Sequence, residues 1–224
     1  MNNRKGVIED MGSESTIIAN LVENHPELQP MAGAIRDACS IMTTCCETGG
    51  KILICGNGGS AADSNHIAGE LIKGFLKKRS LPDSEKKMFT DMDPVRGPLL
   101  AENLQGALPA VSLAANPSVM SAIANDTSPD MIFAQQVYGL GRKNDVLIAI
   151  STSGNAKNVL LAAVTARALG LKVIGLTGRT GGAFARFCDT AVLAPADSTP
   201  DIQELHVAIY HALCAATEEH FFER

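Results

Sequence analysis

Short apolar runs alternate along the chain with longer segments in which apolar residues recur at helical spacing. The runs cover residues 51–55, 110–113, 146–150, 172–176 and 190–193. Because these runs are almost entirely apolar, each predicts a strand buried on both faces, as in a parallel sheet covered by helices. The segments 61–77, 130–142 and 155–169 predict the covering helices. The pattern therefore predicts an α/β protein of the doubly wound type.

Further helices are predicted at both ends of this core. Residues 13–48 predict two helices with a break at 24–26, because a proline disfavours helical geometry in the residue before it. Residues 201–222 predict one long amphipathic helix. No repeat divides the chain, so we predict a helical segment at 1–48, which packs on the core and at a subunit interface, and one main domain at 49–224.

The segment 78–106 fits none of the predicted elements. It mixes many charges with three prolines and has no sustained period. Connections between a helix and a strand usually need only about two to six residues. We therefore interpret 78–106 as an insertion that acts as a lid or a contact arm.

Composition narrows the classes of protein to which the chain can belong. Its 224 residues are 46% hydrophobic and 19% charged, which suits a globular domain whose core needs no disulfide or structural metal. The net charge of −5 argues against a nonspecific binder of nucleic acid or of anionic membranes. No apolar run approaches the roughly 18 residues of a membrane span, and the polar start lacks an apolar signal region. We expect a cytoplasmic protein with no nucleic-acid or membrane partner.

The six cysteines are expected to be reduced and structural. They form no CxxC pair, and Cys55 and Cys214 lie inside apolar segments that are typical of small buried side chains. The sequence therefore predicts neither a disulfide framework nor a cysteine-based metal site.

A glycine-rich turn follows the first predicted strand and opens a helix. Residues 56–60 read GNGGS, which places bare backbone NH groups and a helix N-terminus around one small volume that suits an anion. Two alternatives stay open: a turn that only packs helix against strand, and a dinucleotide site on Gly56, Gly58 and Ala61, for which no acidic residue lies about 20 positions on. A nucleoside triphosphate loop is excluded, because no GK[ST] follows.

A second candidate loop follows the third predicted strand. Residues 151–155 read STSGN directly before a helix, so three hydroxyls join the NH groups of another helix start. These donors suit a phosphate monoester, although a serine or threonine here can also act simply as a helix cap. Ligands of open α/β sheets bind beyond the carboxyl ends of the strands, so we expect both loops to face one crevice.

Histidine, carboxylate and amide side chains lie on two of the predicted helices. His66 and Glu70 are four residues apart and project from one face of their helix, where they form either a functional pair or an ordinary surface hydrogen bond. Gln203 and His211 are separated by about 12 Å along the C-terminal helix. Both could reach a single atom only when fully stretched, so we expect a neighbouring subunit to supply one of them.

On these residues the sequence resembles the sugar isomerase (SIS) domain family, and within it the phosphoheptose isomerases. The resemblance runs from about residue 49 to the C-terminus, apart from the insertion. Five segments carry it together: GNGGSAADSNHIAGEL (56–71), AIANDTSPDMIFAQQV (122–137), ISTSGNAKNV (150–159), LTGRTGG (176–182) and TPDIQELHVAIYH (199–211). The resemblance implies a flavodoxin-like five-stranded sheet and a homotetramer with active sites between subunits.

The resemblance also implies an activity and assigns residues to it. The activity is conversion of sedoheptulose 7-phosphate to D-glycero-D-manno-heptose 7-phosphate by enediol proton transfer, the first step of ADP- or GDP-heptose precursor synthesis. Glu70 and His211 would be the catalytic pair. The substrate-binding residues would be Asn57, Gly58, Gly59, Ser60, Asp126, Ser151, Thr152, Ser153 and Gln203. In metal-containing members, zinc is bound at the positions of His66, Glu70, Gln203 and His211.

Some positions depart from the family pattern. Ala156 stands where a serine is frequent, Asp201 where an arginine is frequent, and Gly74 where a basic residue is common, with Lys73 one position early. These departures bear on substrate choice more than on reaction type. Two other functions stay open: an isomerase of another ketose phosphate, and a non-catalytic SIS protein that binds a replication-initiation partner. The second is disfavoured, because the chain keeps all four metal-site side chains.

Overall fold

The computed structural model describes residues 13–222, and a sheet of five parallel strands lies at its centre. The strands are β1 (Ile52–Cys55), β2 (Ala110–Ser112), β3 (Val146–Ser151), β4 (Lys172–Gly178) and β5 (Thr190–Ala194). Their order is β2-β1-β3-β4-β5, the flavodoxin-like order in which the direction of winding reverses between β1 and β3. The predicted doubly wound α/β fold with a five-stranded parallel sheet is confirmed.

The described part of the chain contains nine α-helices. They are α1 (Ser13–Asn24), α2 (Ala32–Glu47), α3 (Gly59–Ile72), α4 (Asp83–Met92), α5 (Gly97–Asn103), α6 (Pro117–Asp126), α7 (Ala134–Leu140), α8 (Lys157–Ala168) and α9 (Thr199–Phe221). The predicted break after α1 is present, and α1 and α2 both pack against the long C-terminal helix α9. The part of the predicted N-terminal segment before residue 13 lies outside the described residues. Across residues 13–222, no helix is both long enough and apolar enough for a membrane span.

Both faces of the sheet lie in the core, and β1 shows how its residues divide between them. Ile52 and Ile54 pack with residues of α1, α2, α3 and α9, whereas Leu53 and Cys55 pack with residues of α7 and α8. All four side chains are fully buried. This two-sided burial explains why the strand is a continuous apolar run rather than an alternating one.

Three helices differ from their predicted extents. The second N-terminal helix begins as a 3-10 segment at Pro26–Met31 and is regular only in α2. α3 ends at Ile72 instead of residue 77, because Lys73 has an extended backbone and the following NH groups bond to α9. The segment predicted as a helix over 130–142 begins as a 3-10 turn at Pro129–Met131 and is regular only in α7.

The inserted segment 78–106 contains two short helices that were not predicted. α4 and α5 form a hairpin whose ends meet at an antiparallel bridge between Ser80 and Gln105. No residue of α4 is buried, and in α5 only Gly97 and Ala101 are. A Cβ on Gly97 would collide with the backbone of Phe89, so this glycine lets the two helices approach closely. Helices this short that pack chiefly on each other leave no sustained apolar period in the sequence.

A buried ion pair anchors the chain where it leaves α3. Arg79 and Glu218 are both 1% exposed, and Nε of Arg79 lies 2.8 Å from Oε1 of Glu218. The guanidinium also donates to the carbonyl oxygens of Glu70 and Leu71. Glu218 in turn accepts from the NH groups of residues 75, 76 and 77. The pair therefore ties the end of α3 to α9, the two helices that carry the predicted catalytic side chains.

Candidate active site

Two loops at the carboxyl ends of β1 and β3 line a single crevice with a volume of about 330 Å³. The switch in winding direction between these strands leaves room for the crevice. Its lining includes eight of the nine predicted substrate-binding residues: Asn57, Gly58, Gly59, Ser60, Ser151, Thr152, Ser153 and Gln203. The structure thus brings the glycine turn, the hydroxyl loop and the start of α9 around one volume.

Two glycines shape the first loop for different reasons. Gly58 has φ 56° and ψ −119°, a backbone conformation that residues other than glycine rarely adopt. Gly59 has no such torsion, but a Cβ on it would collide with Nε2 of Gln203. The first glycine therefore permits the turn, and the second lets Gln203 reach the crevice.

The second loop combines hydroxyl groups with a helix start whose N-cap residue has no capping side chain. Gly154 has φ +65° and lies against the backbone of Gly181 and Gly182, which clamps the loop in place. The N-cap of α8 is Ala156, whose side chain makes no capping hydrogen bond. With Ser151 and Ser153 beside it, this uncapped helix start has hydroxyl and NH donors available for an anion.

A cluster of polar side chains lies where α3 meets the middle of α9. Nε2 of His66 is 3.1 Å from Oε1 of Glu70 and 3.4 Å from Nε2 of His211. Nδ1 of His66 is 3.0 Å from the hydroxyl of Tyr210. The other carboxylate oxygen of Glu70 accepts from Lys73 at 3.2 Å. Glu70 and His211, the predicted catalytic pair, therefore meet through His66.

Burial and neighbouring charge shift the pKa of three side chains in and beside this cluster. Burial lowers the pKa of His211, and the nearby His66 lowers it further. The charge of Glu70 acts in the opposite direction but does not outweigh them. The lowered pKa favours the neutral imidazole of His211, which offers one NH and one lone pair. Burial raises the pKa of Tyr210, and the neighbouring Asp63 raises it further. Burial also raises the pKa of Asp63. The hydrogen bond from Tyr210 and the charge of His66 lower it by less.

The single chain keeps several predicted site residues apart. Ser60 and Glu70 are ten residues apart on α3, about 15 Å along its axis, so the crevice and the cluster lie at opposite ends of that helix. Gln203 faces the crevice, whereas His211 belongs to the cluster. Asp126 ends α6 and accepts from Asn125, outside the crevice lining. One chain therefore holds two separate halves of the predicted site.

The spacing around His66 suits zinc, but one chain does not complete a set of ligands. Zinc bonds of about 2.0–2.1 Å at the tetrahedral angle separate neighbouring ligand atoms by about 3.3–3.4 Å. The distances of 3.1 and 3.4 Å from Nε2 of His66 to Glu70 and His211 lie near this value. Even so, no three His, Cys, Asp or Glu side chains within residues 13–222 are arranged to hold a metal ion. The donors are chemically suited to zinc and meet only in pairs.

Several residues around the site were missed by sequence reasoning. Asn158 bonds to Asn57 across the crevice, Thr199 lines the crevice, and Tyr210 bonds to His66. Tyr210 directly precedes His211, and Asp63 lies three residues before His66, so a search for polar residues at helical spacing around the histidines would have found both. No local pattern distinguishes Asn158 from other asparagines.

The fold and the paired loops are those of a SIS domain. This family matches residues 18–111 and 100–178 of the chain, which together span well over half of it. The match includes both loops of the crevice and α3.

Comparison with individual proteins shows to which group of SIS proteins the chain belongs. The chain is 41% identical to the phosphoheptose isomerase of Rhodospirillum rubrum over 188 residues, which are 84% of this chain and 86% of that one. It is 34% identical to the phosphoheptose isomerase of Akkermansia muciniphila over 205 residues, 92% of this chain and 95% of that one. The solved phosphoheptose isomerase of Neisseria gonorrhoeae matches with a TM-score of 0.70 and 34% identity, covering 91% and 96% of the two chains. The chain belongs to the phosphoheptose isomerase family and is an isomerase.

Proposed function

We propose that the chain converts sedoheptulose 7-phosphate to D-glycero-D-manno-heptose 7-phosphate, the first step of ADP- or GDP-heptose precursor synthesis, in the cytoplasm. The observation that carries this proposal is the meeting of Glu70 and His211 in one cluster, in a chain that also holds a hydroxyl-lined crevice and belongs to the phosphoheptose isomerase family. The crevice binds the phosphate, and the cluster acts on C1 and C2.

Phosphate binding orients the sugar in this proposal. Ser60, Ser151, Thr152 and Ser153 donate hydroxyl hydrogens, and the uncapped start of α8 donates NH groups. Holding the phosphate end fixes the position of the far end of the sugar, so that binding energy is used for orientation. Asn57, Gln203 and Asp126 contact the sugar hydroxyls.

The cluster moves protons between carbon and oxygen. The Glu70 carboxylate removes a proton from C1 of the ketose while His211 gives a proton to the carbonyl oxygen on C2, which produces an enediol. A proton then returns to C2 and the hydroxyl on C1 loses its proton, so that C1 becomes the aldehyde and the two residues regain their starting states. The neutral imidazole of His211 can give a proton and later accept one.

A zinc ion completes the site in this proposal. His66, Glu70, Gln203 and His211 would hold it, and when bound it supplies Lewis-acid polarisation of the carbonyl without redox change. The donor types and the spacing around His66 support this assignment. Because Gln203 faces the crevice of its own chain, we propose that a neighbouring subunit supplies the amide.

We further propose a homotetramer in which the crevice of one subunit faces the cluster of another. The separation of the two halves along α3 and α9 supports this arrangement. It is tested by mixing two inactive variants, Glu70→Gln and Ser153→Asp, the second of which places a carboxylate in the phosphate crevice. If sites are shared, about a quarter of the sites in mixed assemblies combine two intact halves and activity returns. A mixture as inactive as its components would contradict shared sites.

The substrate is tested by incubating the purified protein with sedoheptulose 7-phosphate, with and without a chelator, and following aldose formation. Glu70→Gln and His211→Ala should abolish the reaction, and chelation should slow it. Turnover of a pentose or hexulose phosphate in its place would indicate an isomerase of another ketose phosphate. No turnover of any sugar phosphate by a folded sample with zinc added would favour a non-catalytic SIS protein.

A further inference from the structure

Tyr210 and Asp63 lie behind the cluster and have no part in the proton transfers above. Tyr210 is 2% exposed, and its hydroxyl is 3.0 Å from Nδ1 of His66 and 3.5 Å from Oδ1 of Asp63. Oδ2 of Asp63 is buried and has no hydrogen-bond partner in the part of the chain that the structure describes. Three side chains therefore form a short relay that begins at a carboxylate and ends at His66.

The number of hydrogens available in the relay determines which group donates in each of its hydrogen bonds. A tyrosine hydroxyl has one hydrogen to donate, and an ionised carboxylate can only accept. If Tyr210 donated to His66, the carboxylate of Asp63 would have no donor on either oxygen among the described residues. A carboxylate with one buried oxygen and no donor is costly, so the hydroxyl hydrogen belongs on the side of Asp63. The oxygen of Tyr210 is then free to accept, and Nδ1 of His66 must donate to it.

The direction of the relay determines what His66 presents to the cluster. A neutral imidazole that carries its hydrogen on Nδ1 has a bare lone pair on Nε2. That lone pair faces Oε1 of Glu70 and Nε2 of His211 at 3.1 and 3.4 Å. An ionised carboxylate and a bare nitrogen are both acceptors, so a cation between them would turn this close approach into an attraction.

We propose that Tyr210 and Asp63 are positioning residues that hold His66 in its Nδ1–H tautomer and so present Nε2 as a ligand for a divalent cation of the zinc type. The tautomer is independent of the proposed function, whereas the cation role rests on its zinc site. Histidine ligands generally need such an outer partner to fix the ring and the tautomer, and losing it weakens metal affinity by about 10- to 100-fold.

The tautomer is tested on the metal-free, 15N-labelled protein by long-range 1H–15N correlation at about pH 8, where imidazoles are neutral. Loss of signals in His66→Gln assigns the ring. We expect the hydrogen of His66 on Nδ1 in the wild type and a mixture of tautomers in Tyr210→Phe, which keeps the ring and its packing. Tyr138 is the other tyrosine of the sequence and is 66% exposed, so Tyr138→Phe is the matched control and should match the wild type.

The cation role is tested on the same proteins by competition for zinc with a chromogenic chelator. Tyr210→Phe and Asp63→Ala should bind zinc about 10- to 100-fold more weakly than Tyr138→Phe, and Asp63→Asn should lose less, because its amide oxygen can still accept from Tyr210. A hydrogen on Nε2 of His66 in the wild type would overturn the proposal. Equal zinc affinity in Tyr210→Phe and Tyr138→Phe would overturn the cation role. Neither readout uses isomerase activity, so failure of the proposed function is recognised separately.

Discussion

Asn57 and Asn158 hold each other through two amide hydrogen bonds of 2.8 and 2.9 Å. Asn57 belongs to the glycine turn after β1, and Asn158 lies in the first turn of α8, so these bonds join the two walls of the crevice. Oδ1 of Asn158 also accepts from the NH group of Val159, which fixes the orientation of its amide. These bonds therefore link the two walls of the crevice directly.

Removing this link should weaken substrate binding. Asn158→Ala deletes both hydrogen bonds, each worth about 0.5–1.5 kcal/mol net, so we expect KM for sedoheptulose 7-phosphate to rise about tenfold with a smaller change in kcat. Steady-state kinetics measure both constants. Asn20→Ala, at an exposed position on α1, is the control and should leave both unchanged. An unaltered KM in Asn158→Ala would show that the link does not hold the crevice.

Adjacent glycines in the first loop should respond differently to alanine. Gly58→Ala forces an alanine into φ 56° and ψ −119°, so we expect the free energy of unfolding to fall by about 1–3 kcal/mol. Gly59→Ala meets only the flexible end of Gln203, so it should cost little stability but displace that amide and reduce activity. Chemical denaturation and kinetics on both variants distinguish the two effects. Equal loss of stability in the two variants would contradict the assignment.

The buried carboxylate of Glu218 should make stability depend on pH. Burial alone would raise the pKa of Glu218, but the NH groups of Phe75 and Leu76 and the guanidinium of Arg79 outweigh burial and lower it. A carboxylate with a lowered folded-state pKa stabilises the fold above its unfolded-state pKa, and this stability is lost as pH falls through the folded-state pKa. The wild type should therefore lose stability on acidification below the ordinary glutamate range.

The variant Glu218→Gln isolates this contribution. Because it leaves Arg79 buried without its counter-charge, we expect about 3–5 kcal/mol less stability at pH 7, a deficit that narrows as the wild-type carboxylate is protonated. Urea denaturation at a series of pH values measures the difference. Glu85→Gln, at an exposed position on α4, should follow the wild type. A deficit that stays constant from pH 7 to acid would rule out the carboxylate as its source.

The uncapped start of α8 offers a stabilising substitution. Ala156 has the extended backbone of an N-cap, with φ −62° and ψ 115°, but no oxygen to accept from the first turn. Ala156→Ser should add about 1 kcal/mol and raise Tm by about 2–4 °C, as scanning calorimetry would record. Ala156→Gly serves as the control without a cap hydroxyl. A Tm no higher than that of the wild type would mean that the serine hydroxyl does not cap α8.

Some features of this molecule could be predicted from the sequence and others could not, for physical reasons. Strands such as β3 are short apolar runs because both of their faces are buried, and the convergence of the two loops follows from the topology of a parallel sheet. The hairpin of α4 and α5 leaves no period because it buries almost nothing. The contacts of Asn158 and of the pair Arg79 and Glu218 join residues about 100 or more positions apart, which no local pattern encodes.

In the proposed reaction, Glu70 removes a proton from carbon. The most direct test of this step is the rate at which Glu70→Gln forms aldose from sedoheptulose 7-phosphate in D2O. NMR traces the hydrogen on C2 of the product. Calorimetry measures the affinity for the substrate. We predict unchanged affinity within a few-fold and at least ~100-fold slower proton transfer than in the wild type or in Glu85→Gln. Proton transfer by Glu70→Gln at the wild-type rate would show that Glu70 is not the base.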